Sequence, residues 1–342
     1  KRTIYMVDMH EPLMFLHNLE TTIKEPFASN PAVLDAIEKN HRKLQIAMTK
    51  LYPGNLVISL SSGVMHHRLV DRITALNDVP REPLVPRRLG KNMCVPFGKI
   101  LRGKVVPNTV TKTLHTDKVY EPDLNSFTIE PFPYYSPLKS QIETIKSFDR
   151  PVILVDDLVH KADRLQVLVP QLREDGIPIR KVVVGVLSGY GRDLMQCLKV
   201  PVESIYSMPN LRQWFVESTL YPFIGGDTVR REEMKVAGLQ PSINMILPYA
   251  TPRLSGCSRE ALVEFSACCI ENSRDLFQVL EAEYRKMYAK NLTLSRLSEA
   301  VILPLCPDKG SCMEYDENLA ASVYLENDLE TLWRMKEFLI KG

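Results

Sequence analysis

The sequence predicts an α/β fold built on a doubly wound parallel sheet, with an N-terminal helical segment before it and a C-terminal helical region after it. Three observations predict this fold. Short apolar runs of strand length alternate with segments of helical spacing from residue 54 to residue 226. Several of these runs are apolar at every position, as in strands whose two faces are both buried. Beyond residue 226 the alternation stops and helical spacing dominates. We therefore expect three parts, residues 1–53, 54–226 and 227–342.

In composition the chain resembles ordinary globular proteins. Its 342 residues exceed one usual core, and the fractions of hydrophobic (45%) and charged (25%) residues are average. No apolar run approaches the ~20 residues that a membrane span requires, so we expect no membrane association. A formal net charge of +2 gives no overall attraction to nucleic acid, which we therefore do not expect as a partner.

The cysteines and the start of the chain indicate which cellular compartment and which partners to expect. Seven cysteines occur without a CxxC pair or a zinc-like spacing to histidine, so we interpret them as reduced thiols. No signal peptide is recognisable, which favours the cytoplasm. The chain begins at Lys1 rather than at methionine, so we expect either a trimmed tag or a piece of a longer protein. The macromolecular partners we consider are a second copy of this chain or another domain of a longer one.

The first elements of the fold are predicted from residue 30 onward. Asn30 and Pro31 suit the cap and first turn of a helix, and apolar residues recur at helical spacing to residue 51. The run NLVISL at residues 55–60 predicts a strand. Ser61-Ser62-Gly63 then forms a turn into a second helix. The unit is a strand, a tight turn and a helix.

Residues 80–150 contain nine prolines and little periodicity. We expect two strands there, at residues 93–97 and 104–106, flanking a mobile loop. Residues 152–155 (VILV) predict a buried strand that ends in Asp156-Asp157, and a helix is expected over residues 158–174 with a break or kink at Pro170. The remaining predicted elements are strands at 181–187 and 202–206, a turn and helix from Ser188, and amphipathic helices at 257–300 and 314–340.

Candidate site residues follow the predicted strands. In an open parallel sheet ligands bind at the carboxyl ends of the strands, where three loops are expected to meet. The middle loop begins with the acids Asp156 and Asp157, which can accept hydrogen bonds from sugar hydroxyls or contribute to a magnesium shell. The free N–H groups at the start of the next helix can bind phosphate. An alternative interpretation is that the two acids only cap that helix.

The run VILVDDLVHKADRL resembles the signature of type I phosphoribosyltransferases. The resemblance implies that Asp156 and Asp157 are catalytic, hold the ribose and bind Mg²⁺. It also implies that the following loop holds the 5-phosphate of phosphoribosyl pyrophosphate. Where the family has small residues with threonine and glycine, this chain has His160, Lys161, Ala162, Asp163 and Arg164. Lys161 and Arg164 can supply positive charge there, whereas Asp163 would repel a phosphate.

The resemblance extends to both sides of the acidic pair and covers about half of the chain. SLSSGVMHHRL stands where the family has its pyrophosphate loop, and residues 98–118 stand where it has a mobile hood. Further ligand-binding residues are implied, namely Ser61, Ser62 and Gly63 for pyrophosphate, His160 in the phosphate loop, Lys112 in the hood, Ser188 beside the ligand and Trp214 for stacking on a base. Ordinary turns, solvated loops and core packing explain the same residues equally well.

Three functions remain open. The first is transfer of a phosphoribosyl group from phosphoribosyl pyrophosphate to a base, with Mg²⁺ as cofactor. The second is a binding module that recognises a phosphoribosyl or nucleotide ligand without turnover and regulates another domain. It is consistent with a further resemblance, to cytidyltransferase-related proteins, although the H-x-G-H motif of nucleotidyltransferases is absent from the sequence. The third is a structural or oligomerising protein, which only the helical tail favours.

Overall fold

The structure is a computed structural model that describes residues 8–77, 89–231, 236–252, 254, 256–309 and 314–341. Its elements are numbered in chain order. The strands are β1 Asp8–His17, β2 Asn55–Ser61, β3 Met93–Pro96, β4 Thr116–Tyr120, β5 Phe127–Pro131, β6 Val152–Val159, β7 Ile179–Ser188, β8 Val202–Met208, β9 Gln213–Val216, β10 Asp227–Val229, β11 Gln240–Ile243 and β12 Leu305–Pro307. The α-helices are α1 Pro31–Leu51, α2 Ser62–Leu76, α3 Leu138–Lys146, α4 Asp163–Glu174, α5 Gly189–Cys197, α6 Arg259–Tyr288 and α7 Ala321–Lys341.

The chain divides into two compact units. Unit 1 comprises Lys1–Ser59, Tyr120–Ser126 and Gln213–Gly342, and unit 2 comprises Leu60–Val119 and Phe127–Arg212. This division does not follow the predicted boundaries after residues 53 and 226. Both ends of the chain belong to unit 1, because β1 pairs in parallel with β9 and α1 packs on α6.

Unit 2 contains a parallel sheet with the strand order β3-β6-β7-β8. Val152 and Leu154 of β6 point into one core with side chains of α3, α4 and α5. On the other face α2 packs against β7, where Met65 lies over Gly185. Helices therefore cover both faces of a parallel sheet, and the predicted α/β fold class is confirmed.

Unit 1 is mixed in structure. Its three-stranded sheet has the order β2-β1-β9, its strands β12, β11 and β10 are neighbours in that order, and α6 packs against both α1 and α7. Three short 3₁₀ helices complete it, Leu19–Thr22, Glu217–Leu220 and Leu294–Glu299. The strand β2 was expected in the same parallel sheet as β6, but its partner is β1. Among the described residues, no helix combines the length and hydropathy needed to cross a bilayer.

Several predicted elements are confirmed, and others differ for physical reasons. The helix predicted over residues 30–51 is α1, and the Asn30 side chain accepts hydrogen bonds from the N–H groups of Ala32 and Val33. Residues 104–106 do not form a strand, since this stretch lies between residues of positive φ, Leu101 and Asn108.

The strand β6 runs through the acidic pair to Val159, so the following helix starts at Asp163 rather than at residue 158. Pro170 lies inside α4 without ending it. Its ring is on the exposed side, where water can satisfy the carbonyl that loses its N–H partner.

The C-terminal region is less helical than predicted. The helix predicted over residues 257–300 is α6 only from Arg259 to Tyr288. A short 3₁₀ helix follows at Leu294–Glu299, and α7 starts only at Ala321. Strands β10 to β12 also belong to this region. They are three or four residues long, which is too short for a periodic apolar pattern to reveal them.

Candidate functional site

The acidic pair lies in the second half of β6, in the centre of the sheet of unit 2. Asp156 is buried, with an exposed fraction of 5%, whereas Asp157 is half-buried. Each carboxylate accepts a hydrogen bond from the backbone N–H of the next residue. The N–H of Asp157 donates to Asp156 Oδ1 at 3.0 Å, and the N–H of Leu158 donates to Asp157 Oδ1 at 2.8 Å. Of the two acids, Asp157 is the more accessible to a ligand.

Asp156 has a cationic partner from the next helix. Arg164 Nη1 lies 3.3 Å from Asp156 Oδ1. Burial raises the pKa of Asp156 far above its ordinary value, Arg164 lowers it and neighbouring Asp157 raises it further. Arg164 was expected to meet a 5-phosphate, but here its guanidinium contacts a carboxylate. It also lies beside Gly98 at the start of the expected hood, 3.9 Å from where a Cβ would stand.

The turn between β6 and α4 stands where the resemblance implies a phosphate-binding loop. Ala162 adopts a left-handed conformation with φ of 55°, a region that favours glycine. Among the described residues, no side chain caps α4 by a hydrogen bond. Asp163 in the first turn is paired with Lys118, whose Nζ lies 3.2 Å from Asp163 Oδ2. The repulsion expected between Asp163 and a phosphate is thus offset locally by a cation.

His160 and Ser188 are brought together by the ends of β6 and β7. His160 Nδ1 lies 2.8 Å from Ser188 Oγ, and the same Oγ accepts the N–H of Gly191 at 3.0 Å, which caps α5. Burial lowers the pKa of His160, and Lys161 lowers it further.

A Cβ on Gly191 would stand 2.2 Å from Val159 O. The glycine turn therefore serves close packing of α5 on β6.

The Ser61-Ser62-Gly63 segment is the start of α2. Ser61 occupies the cap position without a side-chain hydrogen bond, and Ser62 is buried. One turn later, His66 is also buried. Burial lowers the pKa of His66 and Lys104 lowers it further, whereas the negative charge of nearby Asp157 raises it. The start of α2, Asp157 and a basic residue of the expected hood thus lie close enough to interact electrostatically.

Two further residues were predicted to contact the ligand, Lys112 and Trp214. The half-buried Lys112 donates its backbone N–H to Cys94 O at 3.0 Å, and its charge acts on His115, whose pKa is lowered first by burial and then by Lys112. Trp214 belongs to unit 1, where it pairs with Met14 in the β1–β9 ladder.

The residues present fit a magnesium ion in part. Mg²⁺ is usually held by one or two carboxylates together with substrate phosphates and water. Asp157 meets this requirement, whereas Asp156 is buried against Arg164. Within the described ranges, no third carboxylate, histidine or thiol joins these acids closely enough to share an ion with them. A magnesium ion here would depend on phosphate groups of the ligand.

Sequence reasoning missed several residues around this site. It placed neither His66 nor Lys118 at the site. A signal for His66 does exist, because it stands one helical turn after Ser62, on the side of α2 that packs against the sheet. A second cluster, His17, His41 and Glu217 of unit 1, was also missed.

Among solved structures, the chain is similar to a purine phosphoribosyltransferase from Pyrococcus horikoshii, with 13% identity and a TM-score of 0.26 over 45% of this chain and 87% of that chain. It is also similar to protein TT1426 from Thermus thermophilus, with 16% identity and a TM-score of 0.25 over 42% of this chain and 82% of that chain. No protein-family model and no curated protein matches this chain.

Proposed function

We propose that unit 2 is a phosphoribosyltransferase-like domain that binds a phosphoribosyl group or a nucleotide at the end of β6. One observation carries the proposal: Asp156 and Asp157 lie in the second half of β6, which leads through a short turn into α4, a helix without a side-chain cap. A carboxylate can accept hydrogen bonds from ribose hydroxyls, and uncapped helix N–H groups can bind a phosphate. The carboxylates and the helix N–H groups together would recognise the sugar and the phosphate of a ribose phosphate.

The charges around the turn are compatible with a phosphate. Lys161 is exposed at the turn, and Lys118 balances the negative charge of Asp163. Arg164 adds a further cation within the first turn of α4. A phosphate at the start of α4 would meet more positive than negative charge, and charge-assisted hydrogen bonds of this kind are among the stronger ones in proteins.

Binding without turnover is favoured by the contact between Arg164 and Asp156, because it occupies the buried acid that a reacting ribose would need. In this form the domain would sense its ligand and regulate another domain, including one of a longer cytidyltransferase-related chain.

Transfer is the second candidate, favoured by one observation: burial keeps the pKa of His66 low beside Asp157, so a neutral imidazole is available to accept a proton. The reaction would displace pyrophosphate at the anomeric carbon of the ribose. Bound Mg²⁺ would supply charge neutralisation of the leaving group. Asp157 and the ligand phosphates would hold the ion, and the N–H groups at Ser61 to Gly63 would orient the pyrophosphate.

Calorimetric titration with phosphoribosyl pyrophosphate and Mg²⁺ tests the proposal. We expect saturable binding that Asp157→Asn and Lys161→Ala each weaken by about tenfold or more, since a hydrogen bond to a charged group contributes roughly 1.5–3 kcal/mol. The matched control is Glu143→Gln, an exposed acid on α3 of the same unit, which should bind like the unmodified protein. Absence of binding by the unmodified protein would rule the proposal out.

A second assay separates the two candidates. Pyrophosphate release is measured with phosphoribosyl pyrophosphate, Mg²⁺ and each common nucleobase in turn. Binding without release identifies a binding module, whereas release that depends on one base and on Asp157 identifies a transferase.

A further inference from the structure

We propose that unit 1 binds a transition-metal ion of the zinc class through His17, His41 and Glu217. His17 ends β1, His41 lies in α1, and Glu217 opens the 3₁₀ helix that follows β9. The proposal does not depend on the function proposed for unit 2.

The distances between the ligand atoms suit a tetrahedral ion. His41 Nε2 lies 2.8 Å from Glu217 Oε2, and His17 Nδ1 lies 3.7 Å from the same oxygen. One ligand atom from each residue lies within 4.8 Å of the others. In a tetrahedral zinc site with bonds of about 2.1 Å, neighbouring ligand atoms are about 3.4 Å apart. Small side-chain rotations would therefore complete the coordination.

Buried polar atoms in this cluster lack partners. Glu217 is fully buried, and its Oε1 has no hydrogen-bond partner. His17 Nδ1 is likewise buried without a hydrogen bond. An unpaired buried carboxylate oxygen is expensive, because it loses its hydration without compensation. A divalent cation held by His17 Nδ1 and by both oxygens of the Glu217 carboxylate would satisfy both atoms at once.

Zinc binds carboxylate and imidazole in their deprotonated forms, so binding of the ion would release any proton that these three side chains hold.

Neighbouring hydrogen bonds fix two of the ligands in place. Asn18 Nδ2 donates to Ser218 Oγ at 2.9 Å, and the N–H of Ser218 donates to Asn18 Oδ1 at 2.9 Å. Each of these residues directly follows a ligand in the chain. This reciprocal pair continues the β1–β9 ladder and sets His17 opposite Glu217, in the way that outer-shell contacts orient metal ligands.

A second reciprocal pair fixes the third ligand. Asn40 Nδ2 donates to Asn272 O at 2.8 Å, and Asn272 Nδ2 donates to Asn40 O at 3.1 Å. These bonds join α1 to α6 one residue before His41, so the position of His41 is set by helix packing.

The ligand set indicates a fourth position for water. Zinc bound by two histidines and one glutamate commonly keeps an open coordination position. The thiol of Cys269 is buried and close enough to Glu217 to interact electrostatically, but it does not belong to the group of ligand atoms formed by His17, His41 and Glu217. Water is therefore the expected fourth ligand.

Metal binding is tested on the full chain after dialysis against a chelator. Zinc ion is titrated by calorimetry, and cobalt ion is added in parallel to read the geometry from its visible spectrum. We expect one metal ion per chain, a rise in unfolding temperature with zinc, and a tetrahedral cobalt spectrum without a thiolate charge-transfer band. A strong thiolate band would replace water by Cys269 as the fourth ligand and overturn that part of the assignment.

Matched variants locate the ion. His41→Gln, at a partly exposed helix position, should weaken zinc binding by about 100-fold or more, beyond the 10–100-fold typical of losing an outer-shell contact. Asn18→Ala should give a loss within that smaller range, and His67→Gln, an exposed histidine of α2, should change nothing. No stoichiometric zinc binding by the unmodified chain, or binding unaffected by His41→Gln, would overturn the proposal.

Discussion

At the scale of single residues, two buried carboxylates show how partners decide protonation. Asp156 has one guanidinium at 3.3 Å and a second acid next to it, and its pKa is raised, chiefly by burial. Glu217 is fully buried as well, yet two histidines lower its pKa below the ordinary value. Loss of hydration acts to raise the pKa of both carboxyls, and the neighbouring charged groups outweigh it at Glu217 but not at Asp156.

The raised pKa of Asp156 predicts how stability depends on pH. The carboxyl ionises near its ordinary value of 3.8 in the unfolded chain and at about 8 in the folded one. Between these values the folded state retains a proton that the unfolded state has lost, so stability falls as pH rises, by at most about 1.4 kcal/mol per pH unit. Asp156→Asn should flatten this slope in urea unfolding curves measured from pH 5 to pH 8.

The exposed acid Glu143 provides the comparison for this experiment. Glu143→Gln should leave the pH slope of the unmodified protein unchanged. A slope that is equally steep in Asp156→Asn would show that Asp156 is ionised throughout this range, with Arg164 compensating its burial.

Residue patterns revealed only part of the chemistry. Asp156 and Asp157 were found because they are adjacent and follow an apolar run. The contact of Lys118 with Asp163 joins residues 45 positions apart, and no local pattern encodes it. His17, His41 and Glu217 are even more dispersed, with 176 positions between the last two, so only the folded chain shows them as one cluster.

At the scale of elements, the position of α2 depends on a glycine in β7. A Cβ on Gly185 would stand 2.2 Å from Met65 Sδ and 2.7 Å from the backbone oxygen of Asp157. The methionine can move, but the strand backbone cannot. Gly185 thus allows α2 to approach the sheet closely enough for His66 to interact with Asp157.

Gly185→Ala should therefore destabilise the protein by roughly 1–3 kcal/mol, the usual range for overpacking a tight core. Urea unfolding measures this loss. The control is Gly63→Ala in the first turn of α2, where the added Cβ would meet only Ser61 Oγ at 3.6 Å. Equal stability of both variants would contradict the close contacts of Gly185 with Met65 and with the backbone of Asp157.

The predictability of each element reflects the strength of its local signals. Helix α1 was predicted within one residue because Asn30, Pro31 and a long apolar repeat agree. Strand β6 was predicted too short, because charged residues at its end indicate a loop although the ladder continues to Val159. Strands β4 and β5 and helix α3 were missed in the proline-rich stretch, where local periodicity is weak.

At the scale of the whole molecule, the chain forms two units that each contain a candidate site. The sequence predicted one α/β part between helical ends, but both ends contribute to unit 1. Pairing between β1 and β9 joins residues about 200 positions apart, and such distant pairing is decided by tertiary structure rather than by sequence periodicity. The parallel sheet of unit 2 was predictable because its strands are apolar throughout and separated by recognisable helices.

Hydrogen exchange with and without phosphoribosyl pyrophosphate and Mg²⁺ tests the central claim most directly. We predict that the ligand slows exchange by about tenfold or more at amides of residues 157–166, because a phosphate at the start of α4 protects these N–H groups. Peptides from residues 31–51 of unit 1 should exchange at unchanged rates, and Asp157→Asn should reduce the protection. Unchanged exchange at residues 157–166 under saturating ligand, or protection confined to unit 1, would contradict a phosphoribosyl site at the end of β6.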